Sequence, residues 1–351
     1  MENTMAFKVE RIKLPSNNVF EKEIMHPLQP VVITNLFEGD VIREINTRDK
    51  VVEHFGNMII GIQDEYGEAY KKQAGANSPG NKSGTLKMTV KDYLKYLETT
   101  PDTKMMCIEF PSPKILSDTY HIPDVCRTRP GESEKFVNQC FIGNKGNFAH
   151  IHIDKAGTHG FLYQVFGRKR FITWPQSASH KLAPFAQIAG WSLENFTDAD
   201  RQAFLEFTGG CEVILEAGEC MFVPALSWHY VDYIEDSMSI SLRFRRSDYI
   251  TRLANVTFPD FYYQGIGYKL SSPQEAKQYE PLLQQLEAKW AQHYDDGVSK
   301  MKDIRQLTKM IYHTLYPEAP EKSYFLEYED YLPPLLPEFL DANNTKRPKY
   351  A

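Results

Sequence analysis

The stretch NFAHIHIDKAG, residues 147–157, carries the most informative pattern in this sequence. Polar and apolar residues alternate along it, so it predicts a β-strand whose polar side chains share one face. In that strand His150, His152 and Asp154 point the same way. Two imidazoles and a carboxylate are metal-ligand types, although a His-x-Asp pair on one strand is a weak signal by itself.

The composition is that of an ordinary globular protein. The chain has 351 residues, of which 42% are hydrophobic and 25% are charged, and its net charge is −6. This charge gives no reason to expect nucleic-acid binding. No apolar run approaches the roughly 20 residues that span a bilayer, and the N-terminus lacks the apolar segment of a secretory signal. Five scattered cysteines without a C-x-x-C pair argue against a disulfide framework and indicate a cytoplasmic location.

The middle of the chain has the pattern of an antiparallel sheet. Short apolar or alternating runs follow one another, with Gly, Pro, Asn or Asp at many of the breaks, which predicts a mainly β sandwich or barrel. The predicted strands cover 29–36, 57–64, 104–110, 136–142, 148–154, 160–166, 169–174, 211–216, 219–223, 228–234 and 237–244.

Helical patterns flank and interrupt these strands. Residues 89–98 have apolar side chains at helical spacing, and 192–207 reads as a helical insert. Between the early strands, 72–84 is a polar, glycine-rich loop. The apolar stripe of the first helix consists of Val90, Tyr93, Leu94 and Leu97.

The character of the chain changes after about residue 246. SPQE at 272–275 is a capping-box pattern with proline at the first helical position. We predict helices over 273–292 and 299–316, which either pack against the barrel or form a dimer interface. The sequence therefore divides into a strand-rich domain, 1–246, and a C-terminal helical region, 247–351. The apolar stripes of the two helices are Leu282, Leu286 and Trp290 on the first and Ile304, Ile311 and Leu315 on the second.

A third metal-ligand candidate lies far along the chain. EAGECMFVPALSWHYV, 216–231, reads as a turn, an apolar strand, a proline and then His229. An antiparallel barrel can return this segment to the mouth that holds His152 and Asp154. Two imidazoles and one carboxylate form the facial triad of non-haem Fe(II) oxygenases. Zinc hydrolases use the same ligand set, so the triad does not name the metal.

A lysine follows in the next strand pair. GTHGFLYQVFGRKRFITWP, 157–175, reads as two strands joined at Gly167, with Lys169 opening the second strand. A lysine that projects into an apolar barrel needs an anionic partner, because an unpaired buried ammonium is costly. The remote carboxylate of 2-oxoglutarate would serve. The alternative is that residues 168–170 form a solvated basic turn.

Together these motifs resemble the JmjC, cupin-like family of Fe(II)- and 2-oxoglutarate-dependent oxygenases. GNFAHIHID is similar to the asparaginyl hydroxylases, and HIDKAGT followed by GRKRF to the lysyl hydroxylases; the resemblance covers roughly 25–246. It implies a double-stranded β-helix, or jelly roll, with Fe(II) as cofactor and with 2-oxoglutarate and O2 as cosubstrates. It also implies that helices beyond the barrel can mediate a homodimer.

The resemblance also assigns roles to residues. His152, Asp154 and His229 match the iron ligands, and Lys169 matches the lysine that pairs with the 2-oxoglutarate tail. Ser241 falls where the family often has a hydroxyl near the cosubstrate. Thr158 is placed to hydrogen-bond a carboxylate, and His150 matches no ligand. His150 either orients the substrate or a carboxylate around the site, or simply lines the barrel.

The sequence departs from the family pattern at three places. Gly160 and Leu162 stand near an expected asparagine, Arg243 stands in place of a second asparagine, and Ala149 replaces a hydroxyl residue. By period two, Arg243 shares a face with Ser241. Its guanidinium would pair with the cosubstrate, a buried acid of the protein or an acidic group of the substrate. The alternative is that it reaches solvent at the strand end.

The expected activity is hydroxylation of an unactivated C–H bond in a protein, a peptide or a small molecule. Lysine demethylation by the same iron chemistry is one alternative, and a metal-binding cupin without oxygenase activity is another. Neither the substrate nor the hydroxylated atom follows from the sequence. We expect no membrane partner.

Overall fold

A computed structural model describes residues 7–64, 86–127, 136–154, 157–185, 187–245, 248–258 and 260–319. Within these ranges fifteen strands form one sheet of nine strands and one of six. The polar loop predicted at 72–84 lies outside the described residues.

The strands follow the predicted runs closely through the middle of the chain. The main difference lies near the N-terminus, where the run predicted at 29–36 contributes only a three-residue strand. The strands are β1 Glu10–Ile12, β2 Val31–Ile33, β3 Ile59–Asp64, β4 Leu86–Thr89, β5 Met105–Pro111, β6 Val137–Gly143, β7 Phe148–His152, β8 His159–Phe166, β9 Lys169–Trp174, β10 Pro184–Phe185, β11 Ile188–Ala189, β12 Cys211–Leu215, β13 Cys220–Val223, β14 Trp228–Tyr233 and β15 Ser237–Phe244.

The order of strands is that of a jelly roll. The larger sheet runs β1-β2-β13-β8-β15-β6-β5-β3-β4, and the smaller sheet runs β10-β11-β7-β14-β9-β12. From β6 to β9 and again from β12 to β15 the chain passes back and forth between the two sheets. This alternation between two sheets is the path of a double-stranded β-helix, so the predicted mainly β core is confirmed.

Apolar side chains fill the space between the two sheets. Met221 and Val223 of the larger sheet pack there with Phe171, Val213 and Val231 of the smaller one. The alternate residues of β13 point the other way, into the cluster under the N-terminal elements. This alternation is the period-two pattern of strands with two buried faces.

Ten α-helices are described alongside the sheets, and the two predicted N-terminal of residue 246 are confirmed. In Val90–Thr99 all four residues of the predicted stripe are buried. The insert is helical only in its second part, Asp198–Thr208, where Thr197 and Asp200 form a reciprocal capping box. The α-helices are Asn17–Phe20, Arg48–Phe55, Val90–Thr99, Lys114–Ser117, Asp198–Thr208, Asp248–Asn255, Phe261–Lys269, Pro273–Ala276, Glu280–Trp290 and Gly297–Leu315.

The C-terminal helices pack on the barrel. The segment predicted as one helix over 273–292 is divided into Pro273–Ala276 and Glu280–Trp290 by a 3-10 turn. Ser272 makes no side-chain cap, so the expected capping box is wrong, although Pro273 does open its helix. Both apolar stripes pack in one cluster with Ala225 and Leu226 of the β13–β14 turn. The first of the two alternatives, packing against the barrel, is therefore observed. No described helix has both the length and the apolar character needed to cross a bilayer.

Candidate metal site

The first histidine of the site is oriented by a β-bulge in β7. His229 of β14 pairs with His152, yet Val231, two residues on, pairs with Ala149. His150 and Ile151 therefore both lie opposite Tyr230, so β7 has one extra residue at this point, as in a β-bulge. The extra residue puts His152 and Ala149 on the inner face of the strand.

The bulge corrects one expectation. Strict alternation predicted that His150 shares the face of His152, but the ring of His150 instead lies 5.0 Å from the ring of Phe148. Phe148 and Ile151 both belong to the cluster under the helical insert, on the outer side of the smaller sheet. The suggestion that His150 lines the barrel is therefore wrong.

The three predicted ligands come together at the barrel mouth. Donor atoms of His152, Asp154 and His229 all lie within 4.8 Å of one another. The rings of His152 and His229 are 4.2 Å apart at their centroids, and His152 Nε2 lies 3.6 Å from Asp154 Oδ1. No other group of three such side chains among the described residues has this spacing.

Backbone carbonyls fix which imidazole nitrogens face the centre. His152 Nδ1 donates to the carbonyl of His150 at 2.6 Å, and His229 Nδ1 donates to the carbonyl of Ser227 at 3.0 Å. A carbonyl can only accept, so each Nδ1 carries the proton and each Nε2 offers a lone pair. This is the arrangement by which protein partners orient metal-binding histidines.

The charge states of Asp154 and His229 suit a metal, whereas the raised pKa of His152 favours its protonated form. Burial opposes ionisation of Asp154, but the charge of Arg243 and contact with His152 outweigh it and hold the pKa of the carboxyl well below its usual range. Burial, reinforced by the charge of His152, lowers the pKa of His229 to about 4. Burial also disfavours the charged form of His152, yet Asp154 prevails and raises its pKa. An ionised carboxylate and a neutral imidazole are the forms that bind metal.

Lys169 projects into the barrel and does not lie in a solvated turn. Only 2% of the residue is exposed. Its Nζ donates to Ser239 Oγ at 2.6 Å and lies 3.9 Å from the centre of the Tyr233 ring. Among the described residues no carboxylate forms an ion pair with it, and burial lowers its pKa to about 7. The interpretation of 168–170 as a solvated turn is wrong for Lys169.

Hydroxyl groups line the inner face between the lysine and the metal ligands. Ser239 and Ser241 lie on the same face of β15, and Thr173 pairs directly with His229 across the sheet. Ser241 and Thr173 are fully buried, and their hydroxyl oxygens have no hydrogen-bond partner in the described protein. Buried polar groups are normally satisfied, so these hydroxyls indicate space for a polar ligand.

Arg243 lies at the mouth and pairs with acids of the protein. Its Nη1 donates to Glu109 Oε1 at 2.5 Å, and its Nη2 lies 3.6 Å from Asp154 Oδ1. Of the three kinds of partner expected for Arg243, the structure therefore shows an acid of the protein itself. Arg243 also pairs in register with Gly160, so two departures from the family pattern are neighbours on adjacent strands.

The remaining predicted residues lie close by. Thr158 is half-buried and immediately precedes β8, two residues before Gly160. Leu162 and Ala149 pack with the apolar residues between the sheets.

Three further groups around the site were not predicted from the sequence. Ser239 could have been found by period two, because it shares a face of β15 with Ser241. Thr173 lies directly opposite His229 on the adjacent strand, so it could be found only once that strand pairing is known. Glu109 carries no local signal, because it reaches Arg243 only through the tertiary fold.

The donor set fits a divalent metal ion with open coordination positions. Two Nε2 atoms and one carboxylate occupy one side of the centre, and buried hydroxyls and a buried ammonium lie farther inside the barrel. A small dianion that chelates the metal and extends inward would meet Lys169 at its far end. The residues present therefore suit both Fe(II) and 2-oxoglutarate.

Comparison with known proteins agrees with this site. The sequence profile described as "Cupin-like domain" matches residues 16–249, more than half of the chain. The chain is 23% identical over 246 residues to "Lysine-specific demethylase 8" of Danio rerio, which covers 67% of this chain and 57% of that protein. It is 30% identical over 133 residues to "Lysine-specific demethylase JMJ30" of Arabidopsis thaliana, 36% of this chain and 29% of that one.

A third relative is named for the cofactor chemistry. "2-oxoglutarate and iron-dependent oxygenase JMJD4" of Danio rerio is 28% identical over 105 residues, 29% of this chain and 25% of its own length. The chain spans less than two thirds of the length of each of these relatives. On the matched profile and the assembled triad, this chain belongs to the cupin-like domain family, in its JmjC group of Fe(II)- and 2-oxoglutarate-dependent oxygenases.

Proposed function

We propose that this protein is an Fe(II)- and 2-oxoglutarate-dependent dioxygenase that hydroxylates an unactivated C–H bond. The observation that carries the proposal is the pairing of a two-histidine, one-carboxylate centre with a buried lysine inside the same barrel. A zinc hydrolase would use the triad but has no need of an inward ammonium beyond it. The proposed division of the chain places this chemistry in 1–246, with 247–351 as a supporting helical region.

Each residue of the site has a task in this proposal. His152, Asp154 and His229 hold the metal, and the carbonyls behind the two rings keep both Nε2 atoms aimed at it. Lys169 binds the far carboxylate of 2-oxoglutarate, and Ser241 and Thr158 donate to its oxygens. Arg243 is also assigned to the cosubstrate, through the metal-proximal carboxylate. Apolar side chains between the sheets exclude water from the reacting atoms.

The bound metal supplies the oxidising chemistry: with 2-oxoglutarate and O2 it produces succinate and CO2 and inserts one oxygen atom into a substrate C–H bond. The protein positions the cosubstrate and keeps the pocket poor in water. We propose a side chain of a protein or peptide as substrate, since three relatives carry names of lysine-specific demethylases. A small-molecule substrate is the alternative.

Two measurements test the activity. Succinate formation that requires Fe(II), O2 and this protein, and that is lost in His229→Ala, supports the oxygenase; exposed His54→Ala serves as the control. Absence of succinate with bound metal would instead favour a cupin without oxygenase activity. Mass spectrometry of peptide products then separates gain of one oxygen, which means hydroxylation, from loss of a methyl group, which means demethylation.

Two further proposals concern the setting of the enzyme. All five cysteines are free thiols, which supports the cytoplasmic location; fractionation of cells that express the protein tests it. A homodimer through the C-terminal helices has less support, because the residues of both apolar stripes already pack within one chain. Sedimentation of the full chain decides between monomer and dimer.

A further inference from the structure

We propose that Glu109 sets the net charge of the metal site, by neutralising the Arg243 guanidinium that would otherwise compete with the metal for Asp154. The inference rests on the proposed metal ligands and deepens that site. Before the cosubstrate binds, Glu109 and Arg243 are positioning residues, since both then act on the metal through the carboxylate of Asp154.

The geometry places Arg243 between two acids. Its two terminal nitrogens face different partners, with Nη1 2.5 Å from Glu109 Oε1 and Nη2 3.6 Å from Asp154 Oδ1. Guanidinium stays charged at all accessible pH values. The cation is therefore a counter-ion of a metal ligand, and any bound divalent ion must share the carboxylate of Asp154 with it.

The backbone of Glu109 is held in an unusual conformation. Glu109 has φ of +48°, in the left-handed region that a residue with a Cβ seldom adopts. It sits where the register between β5 and β6 shifts, and Gln139 Nε2 donates to its backbone carbonyl at 3.1 Å. Such strain persists only where the surrounding structure fixes it, and it is often found at functional sites.

Counting charges gives opposite predictions for the two partners. Asp154, Arg243 and Glu109 together carry one negative charge. Without the Glu109 charge, Arg243 cancels Asp154, and its guanidinium is free to turn fully toward that carboxylate. Without the Arg243 charge, two negative groups face the metal. Loss of Glu109 should thus weaken metal binding, whereas loss of Arg243 should strengthen it.

The test is a double-mutant cycle on the full chain, with Mn(II) alone as the probe in calorimetric titrations. We expect Glu109→Gln to raise the Mn(II) dissociation constant about threefold to tenfold, because solvent screens this partly exposed pair. Arg243→Gln should lower it by a similar factor, and the double variant should return close to wild type. Glu98→Gln, which removes an acid from the exposed Arg48–Glu98 pair, is the matched control.

The direction in which each variant changes Mn(II) affinity distinguishes an effect of charge from an effect of packing. If both single variants weaken Mn(II) binding, the pair acts through packing and the proposal is overturned. It is also overturned if Glu109→Gln behaves like Glu98→Gln. Circular dichroism confirms that each variant is folded, and Arg243→Lys, which keeps the charge, should bind Mn(II) as the wild type does. Failure of wild-type protein to bind Mn(II), or full binding by His152→Ala, would instead remove the proposed ligands themselves.

Discussion

The side chain of Gln264, on the helix Phe261–Lys269, holds the indole of Trp228, the residue next to His229. Gln264 Oε1 accepts from Trp228 Nε1 at 3.1 Å, and Gln264 Nε2 donates to the carbonyl of Leu226 at 2.8 Å. Ser179 Oγ joins the same network, 2.9 Å from Gln264 Oε1 and 3.0 Å from the indole nitrogen. The helical region thus fixes the turn that delivers a metal ligand.

Replacement of Gln264 by alanine should therefore affect both stability and the metal site. The change leaves the buried carbonyl of Leu226 without its donor, which costs about 1–3 kcal/mol. We expect a lower melting temperature and weaker Mn(II) binding. Exposed Gln284→Ala, on a neighbouring helix, should change neither. A Gln264→Ala protein with reduced stability but unaltered Mn(II) affinity would show that the helix does not act on His229.

The buried ammonium of Lys169 should destabilise the folded protein when no anion is bound. A buried ammonium without a carboxylate partner is costly, and replacement of such a charge by an apolar side chain is often stabilising. Lys169→Met should raise the melting temperature of the ligand-free protein and raise the KM for 2-oxoglutarate at least about tenfold, the loss of a charge-assisted hydrogen bond. Exposed Lys114→Met is the control. An unchanged KM would assign the far carboxylate to another group.

The same lysine predicts a dependence on pH. Burial lowers the pKa of Lys169 to about 7 from the ordinary 10.5. The free protein therefore loses this proton as the pH rises through 7, and a dianionic ligand must restore it. Affinity for 2-oxoglutarate should fall between pH 7 and 9, with uptake of up to one proton on binding, measured by calorimetry in buffers of different ionisation enthalpy.

The stability of the ligand-free protein should instead rise as the pH increases above 7. The unfolded chain binds this proton up to about pH 10.5, while the folded protein has released it above about pH 7. The cost of the buried charge is present in full below pH 7 and diminishes as the pH rises toward 10.5. Lys169→Met should abolish this part of the pH dependence. A variant with the wild-type profile would point to a different titrating group.

His150 should be dispensable for chemistry. Its ring lies 5.0 Å from the ring of Phe148, and its backbone carbonyl accepts from His152 Nδ1. We expect His150→Ala to keep Mn(II) affinity and kcat within about twofold and to lose at most about 1 kcal/mol of stability, as partly exposed substitutions do. His152→Ala serves as the contrasting variant. A large loss of kcat in a folded His150→Ala protein would return this residue to the site.

The sequence was sufficient for the parts of the site that depend on short-range patterns. The triad and Lys169 follow from motifs in the order that a jelly roll brings together. The orientation of His150 could not be obtained in this way, because alternation predicts faces only in a strand that has no bulge. The pairing of Glu109 with Arg243 could not be obtained either, since the two are far apart in sequence and meet only after β5 joins β6.

The bulge in β7 has a consequence for insertions and deletions. Without His150 the strand would read Phe-Ala-Ile-His, and plain alternation would still put Ala149 and His152 inward and Phe148 and Ile151 outward. A chain one residue shorter would thus keep the metal ligand on its face and lose only the local bend that a bulge imposes. The strand can therefore lose the extra residue at this point and still keep His152 on the face that meets the metal.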